Sequence, residues 1–306
     1  MTDPSQRGVT GRIEDAVTDL VGNTVPDVIE DAVSDLVEHA VPDVIEQAVT
    51  EVIDHAGLDP AVPAEPPASP RRWWGRHLAE TRWQAELARL LVDPVFRGDG
   101  VPRGDGMPAI LIPGFLAGDA SLGVMQGWLG RIGYEPHAAG IVWNVDCSNR
   151  ALERLERRLA DVHERTGRRV ALVGHSRGAH FAKALAHWRP ERVAGVISLG
   201  AGLDTPFDIS VPTKAAVAAV RAVHTPRRRG CFTERCGCPF QSHYAAPFPE
   251  DVPLTSIYSR EDGVVWWEAC VVPYARNVEV TGSHVGLACN RKAYRAVADA
   301  LAAMEG

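Results

Sequence analysis

No stretch of the sequence is apolar for the ~18 residues that a helical membrane span needs, and the start, Met1-Thr2-Asp3-Pro4, lacks the basic and then apolar regions of a secretory signal. The expected location is therefore cytoplasmic, and no transmembrane segment is expected. Positive charge is also short, with a net charge of -7 from 39 acidic and 32 basic residues. Phosphate binding needs a positive field, so a nucleic-acid partner is not expected either. Basic residues are scarcest at the N-terminus, where residues 1–59 hold 14 Asp and Glu against two Arg. The remainder of the chain is net positive.

Paired Cys-x-x-Cys spacing is missing too, although six cysteines are present and three of them, Cys231, Cys236 and Cys238, crowd one short stretch. With only His243 nearby as a fourth ligand, that spacing does not support a metal site. A small disulfide, Cys231 with Cys236 or Cys238, is open beside free thiols, and it would argue for export to an oxidising compartment.

The hydrophobic content of 45% and charged content of 23% are those of a globular chain. The length of 306 residues allows one large domain plus an appendage. Residues 1–56 form that appendage, with a repeat of period 16 in which Val25-Pro26-Asp27-Val28-Ile29-Glu30 is answered by Val41-Pro42-Asp43-Val44-Ile45-Glu46. The apolar positions follow i, i+3, i+4, i+7, and the prolines interrupt the helix, so short acidic amphipathic helices are expected. Their polar face is acidic and not basic, which disfavours docking on anionic lipid. Residues 9–56 are instead candidates for contact with a protein partner or for self-association. A Pro-rich linker spans 57–70, and a basic lead-in helix with Trp73, Trp74 and Trp83 spans 71–96.

From Gly100 onward strands and helices alternate, which predicts an α/β fold with a mostly parallel sheet covered on both faces. Strands are expected at 109–112, 139–143, 169–173, 193–199, 254–258 and 277–280. Helices are expected at 120–132, 149–166, 178–188 and 290–304, and the stretch 202–253 reads as a long irregular excursion.

The chemistry concentrates where strands end. Gly174-His175-Ser176-Arg177-Gly178 lies between an apolar strand and a helix, the context of a nucleophile-bearing turn. A serine hydroxyl needs a base, and the base an orienting acid. Asp262 follows the next strand but one after Ser176, and His284 follows the strand after that, giving the order Ser176, Asp262, His284. Asp204 and Glu261 are rival acids. His175, inside the turn, cannot reach back to its neighbour's hydroxyl, and His180 lies on the helix that follows, where it reads as packing. Two backbone N–H donors are also needed for an oxyanion, and the candidates are Arg177, after the nucleophile, and Phe115, in Ile112-Pro113-Gly114-Phe115-Leu116-Ala117-Gly118.

Pro113-Gly114-Phe115, Gly-His-Ser-Arg-Gly, Tyr258-Ser-x-x-Asp-Gly-Val-Val265 and Gly282-Ser-His-Val-Gly286 together resemble the lipase and esterase branch of the α/β-hydrolase superfamily, bacterial lipase-like proteins especially. The resemblance covers roughly residues 107–305, with Pro113-Gly114 standing where the family usually has His-Gly. It implies an α/β-hydrolase domain over 71–306 with a lid insertion at about 202–253. It also implies a Ser176-Asp262-His284 triad acting on a small-molecule or lipid ester through an acyl-enzyme, without a cofactor. An acyltransferase or thioesterase would use the same residues. A catalytically inert body with function in the N-terminal repeats is the reading from a different class.

Overall fold

The computed structural model describes residues 79–224 and 237–304. The acidic repeats, the linker, Trp73, Trp74, the run Arg227-Arg228-Arg229, Cys231 and Cys236 lie outside the described residues. Cys238 stands at the N-cap of a short helix.

Six strands form a single sheet: β1 (Pro108–Ile112), β2 (Glu135–Ala138), β3 (Val170–His175), β4 (Val193–Leu199), β5 (Leu254–Ser259) and β6 (Arg276–Val280). Their order is β2-β1-β3-β4-β5-β6, and every pairing is parallel. β1, β3 and β5 are buried along their whole length. Coverage of both faces explains the apolar runs of β1 and β3, while β5 buries Ser256 and Ser259 with their hydroxyls donating to Cys270 O and Gly282 O.

Nine α-helices accompany the sheet among the described residues: α1 (Trp83–Val92), α2 (Pro94–Arg97), α3 (Gly123–Arg131), α4 (Ser148–Thr166), α5 (Arg177–Trp188), α6 (Val211–His224), α7 (Pro239–Ala245), α8 (Trp267–Cys270) and α9 (Arg291–Ala302). Successive strand residues point to opposite faces, so Ala109 and Leu111 enter one core while Ile110 and Ile112 enter the other. The first core packs α1, α3 and α9 through Leu90, Met125, Trp128, Tyr294 and Leu301. The second packs α4, α5 and α7 through Leu155, Leu159, Phe181, Leu185 and Tyr244. Each such side chain, fully buried, contributes about 1.5–3 kcal/mol. Trp128 also donates its indole N–H to the Val95 carbonyl at 2.8 Å, which ties α3 to α2.

This is the α/β-hydrolase fold: a parallel sheet with helices on both faces and a sharp strand-to-helix turn after its central strand. Three expectations need correction. The strand expected at 139–143 is instead β2 at Glu135–Ala138. Gly140 adopts φ +81°, which ends the extended run, and the Asp119 carboxylate takes the N–H groups of Gly140 and Ile141 at 2.8 and 3.0 Å. The expected lead-in helix breaks at Asp93, whose side chain accepts from Val95 N and caps α2 with Pro94 as its first residue. The excursion at 202–253 is not irregular throughout, because it contains α6 and α7. Among the described residues no helix is long and apolar enough to cross a membrane.

Candidate active site

β3 delivers the chain to Ser176, and α5 begins at the next residue. Ser176 sits at φ 50° and ψ -125°, a left-handed conformation that a non-glycine residue holds at a cost of about 1–3 kcal/mol. Its surroundings enforce that conformation. The Ser176 N–H donates to Leu199 O, at the end of β4, at 2.8 Å, and the Ser176 carbonyl accepts from Ala179 N at 2.9 Å.

The flanking glycines leave no room for side chains. A Cβ at Gly174 would lie 2.4 Å from Ala179 N and Cα, and one at Gly178 would lie 2.1 Å from Ile112 O. The helix therefore starts hard against the ends of β1 and β3.

His284 lies between β6 and α9, and Asp262 lies in the loop after β5. The His284 Nδ1–H donates to Asp262 Oδ2 at 2.7 Å, with both side chains buried. Asp262 Oδ1 is occupied in turn by Val264 N and Val265 N, both at 2.8 Å. Burial opposes a charge on His284, but the Asp262 carboxylate, its hydrogen bond and the nearby Glu80 outweigh it and hold the imidazole pKa above its ordinary value. The ring thus has its proton fixed on Nδ1 and its Nε2 left for a proton from elsewhere.

The rival acids are engaged apart from this pair. Asp204 accepts from Lys183 Nζ at 3.0 Å and from the Tyr274 hydroxyl, and Glu261 pairs with Arg82 at 3.1 Å on the surface. His180 sits edge-on to Tyr244 with ring centroids 5.3 Å apart, and burial pushes its pKa down to about 3.

His175 has a part that its sequence position concealed. Its Nε2–H donates to the His284 backbone carbonyl at 2.9 Å, and the two rings lie 4.9 Å apart between centroids. Burial pushes its pKa down to about 4, with the His284 charge contributing, so the ring is neutral near pH 7. The turn at Ser176 and the loop at His284 are thereby joined through the His175 side chain.

The Pro113–Gly118 loop faces this edge. A Cβ on Gly114 would stand 3.1 Å from His175 Nδ1 and 3.2 Å from Ser176 Cβ, so a side chain there would crowd the turn. Ala117 N closes the turn on Gly114 O at 3.2 Å, with Phe115 and Leu116 at its tip and Leu116 at φ 60°.

Asn144 holds the loop from behind. Its Nδ2 donates to Pro113 O at 2.8 Å and its N–H to Ala117 O at 2.8 Å. The Arg177 guanidinium then grips Asn144 O and Oδ1, each at 2.9 Å, along with Asp146 O at 2.7 Å and Ser148 Oγ at 3.2 Å. Asn144 and the Arg177 side chain were not singled out in the sequence. Their contacts run mostly to backbone oxygens, which leave no spacing pattern to find.

No protein-family profile matches the chain, and no curated protein is similar to it in sequence. Solved structures of similar shape include the mature form of Bacillus licheniformis lipase BlEst2, 15% identical with a TM-score of 0.48, matched over 67% of this chain and 96% of its own. The monoacylglycerol lipase of Paleococcus ferrophilus is 14% identical with a TM-score of 0.46, over 67% of this chain and 97% of its own. Polyneuridine aldehyde esterase is 16% identical with a TM-score of 0.43, over 65% and 99%.

Proposed function

We propose that the protein is a serine hydrolase that cleaves carboxylic esters through an acyl-enzyme. The observation that carries this reading is the buried 2.7 Å bond from His284 to Asp262 at the sheet edge where the chain holds Ser176 in a strained turn. An Asp that fixes the Nδ1 proton leaves Nε2 as a general base for a hydroxyl, the division of labour that a serine nucleophile requires.

In the first half-reaction His284 Nε2 removes the Ser176 proton as Oγ attacks the ester carbonyl. The negative charge that develops on the carbonyl oxygen is met by the N–H groups of Phe115 and Arg177. Collapse breaks the ester bond, and the alcohol leaves with the proton from His284. Water then attacks the acyl-serine by the same route, and the acid departs as Ser176 recovers its proton. These steps need no cofactor. The Asp262 carboxylate orients the ring and stabilises the imidazolium.

The test is labelling of the full chain with a fluorophosphonate probe, alongside hydrolysis of short and long p-nitrophenyl esters. Wild type should label and turn over ester, while Ser176→Ala and His284→Ala should do neither. Wild-type protein that is folded but neither labels nor hydrolyses, or a Ser176→Ala variant that still turns over, removes the reading.

A further inference from the structure

Two carboxylates reach the histidine loop from a segment that precedes the sheet. Glu80, in a 3-10 turn at Ala79–Arg82, accepts backbone hydrogen bonds on both oxygens: Gly263 N and His284 N at Oε1, and Val285 N at Oε2, each at 2.9 Å. One side chain therefore bridges the residue after Asp262 and the backbone of His284 itself.

Six residues later Glu86, buried in α1, accepts from Ser283 N at 2.9 Å and from Asn290 Nδ2 at 3.4 Å. The loop is shaped to this carboxylate. A Cβ at Gly286 would lie 1.7 Å from Glu86 Oε2, and one at Gly282 would lie 3.0 Å from it. Ser259 Oγ donates to Gly282 O at 2.7 Å and adds a direct tie between the acid and histidine loops.

We infer that Glu80 is a positioning residue for the reaction: its carboxylate sets the relative placement of the Asp262 and His284 loops and lends negative charge to the imidazolium formed during turnover. The inference rests on the ester-hydrolase reading above. Without this clamp, the loops after β5 and β6 are joined through the Ser259–Gly282 and Asp262–His284 hydrogen bonds, while Glu86 holds Ser283 from α1. Those contacts leave the His284 and Val285 N–H groups without the acceptor that Glu80 supplies. Unpaired N–H groups this close to the site would rotate to find water, turning His284 relative to Ser176.

The charged and titratable groups facing His284 among the described residues are Asp262 from the loop after β5, His175 from the Ser176 turn and Glu80 from the lead-in turn, while Glu86 from α1 holds the neighbouring Ser283 N–H. Removing the Glu80 charge leaves Asp262 as the close anion. The proton on His284 is then held less firmly.

The experiment compares full-length wild type with Glu80→Gln and Glu80→Asp, after active-site titration so that rates refer to competent protein. Gln keeps the length and one acceptor oxygen but loses the charge. Glu80→Gln should lower kcat by about 10- to 100-fold, as misplacement of a catalytic group by about 1 Å does, with KM little changed. The acidic limb of its kcat/KM profile should move to lower pH.

Glu80→Asp keeps the charge but falls short of the three N–H groups, so kcat should drop while the acidic limb stays in place. Titrated Glu80→Gln with the wild-type kcat and acidic limb would overturn the inference. If Glu80→Gln does not fold, Glu80→Asp at the wild-type kcat overturns it. Failure of the underlying reading looks different: wild type itself would be unlabelled, or Ser176→Ala would stay active.

Discussion

A single methyl group placed at Gly200 tests the Asp262–His284 pair without substituting either residue. Gly200 follows β4, its N–H donates to Ile257 O at 2.9 Å, and it adopts φ +60°. A Cβ there would lie 3.1 Å from both Asp262 Oδ2 and His284 Nδ1, the two atoms of the 2.7 Å bond, and 2.8 Å from Leu287 Cδ1. Leu287 can move aside because that atom is the end of a flexible side chain, but the bonded pair cannot. Gly200→Ala should therefore stretch the Asp262–His284 contact.

The energetic cost has two parts: a left-handed alanine costs about 1–2 kcal/mol, and tight contacts of a few tenths of an ångström add a fraction more. A total of roughly 2 kcal/mol lowers Tm by about 4–8 °C in a domain of this size. The chemical cost is larger. Losing the orienting acid in a serine triad costs about 10⁴-fold, and a stretched bond should fall short of that, at roughly 10- to 1,000-fold in kcat. Gly167→Ala is the control, with φ +65° at the end of α4 and nothing within 4 Å of its added Cβ. It should show the same order of loss in Tm with wild-type kcat.

Ester hydrolysis by titrated enzyme and thermal melts by circular dichroism separate the two costs. If folded Gly200→Ala hydrolyses esters at the wild-type rate, the reasoning fails, because the Asp262–His284 bond would then not govern the chemistry.

Stability should fall in acid. His175 is buried with its pKa pushed down to about 4, so the unfolded chain, titrating near 6.5, takes up its proton first as the pH drops. Its contribution, about 3 kcal/mol, is complete above pH 6.5 and is lost as the pH falls through 4. His284 works in the other direction: its raised pKa gives stability that is present below about 6.5 and fades as the pH rises through its folded value. Urea melts of wild type and His175→Asn from pH 4 to 7 check the first effect, and a wild-type slope in the variant would contradict it. Arg177→Met keeps the backbone N–H but removes the guanidinium that fastens Asn144, and should destabilise by about 3 kcal/mol while lowering kcat through the Pro113–Gly118 loop. Equilibrium unfolding with kcat on the folded protein measures both, and no change in either would show that the Asn144 contacts suffice alone.

The legible parts of the sequence were those in which burial dictates residue type. β1, β3 and β4 announced themselves because strands covered on both faces are largely apolar, and β4 lies at the expected 193–199; β5 and the edge strand β6, with its exposed Arg276, Asn277 and Glu279, showed only shorter apolar or alternating stretches. β2 did not, because an edge strand built from Glu135-Pro136-His137-Ala138 carries no apolar run, while the Ile141-Val142 pair that mimics one belongs to a loop. α6 was missed because Val211–His224 is rich in Ala and Val with little charge, so no polar face marks its period.

Ser176, Asp262 and His284 stood out from their glycines and strand ends, and the fold carries those residues to one edge. Glu80, Glu86 and Asn144 were not visible in this way, since each serves backbone groups of distant segments. One clue was available: Glu80, Glu86 and Asp93 are the acids in a lead-in that is otherwise basic, and each has polar partners across the body, with Asp93 pairing to Arg291 and Arg295.

The separation between Glu80 and Val285, 205 positions along the chain, gives the site a timetable. At about 5–20 residues per second of synthesis, the carboxylate waits roughly 10–40 s before the N–H groups it binds have been made. Through that interval β1, β3 and β4 can assemble, and the Ser176 turn can form against Leu199 O, while the acid and histidine loops do not yet exist. On the proposed reading, a nascent chain would therefore carry Ser176 without its acid and base until the last two strands have been made.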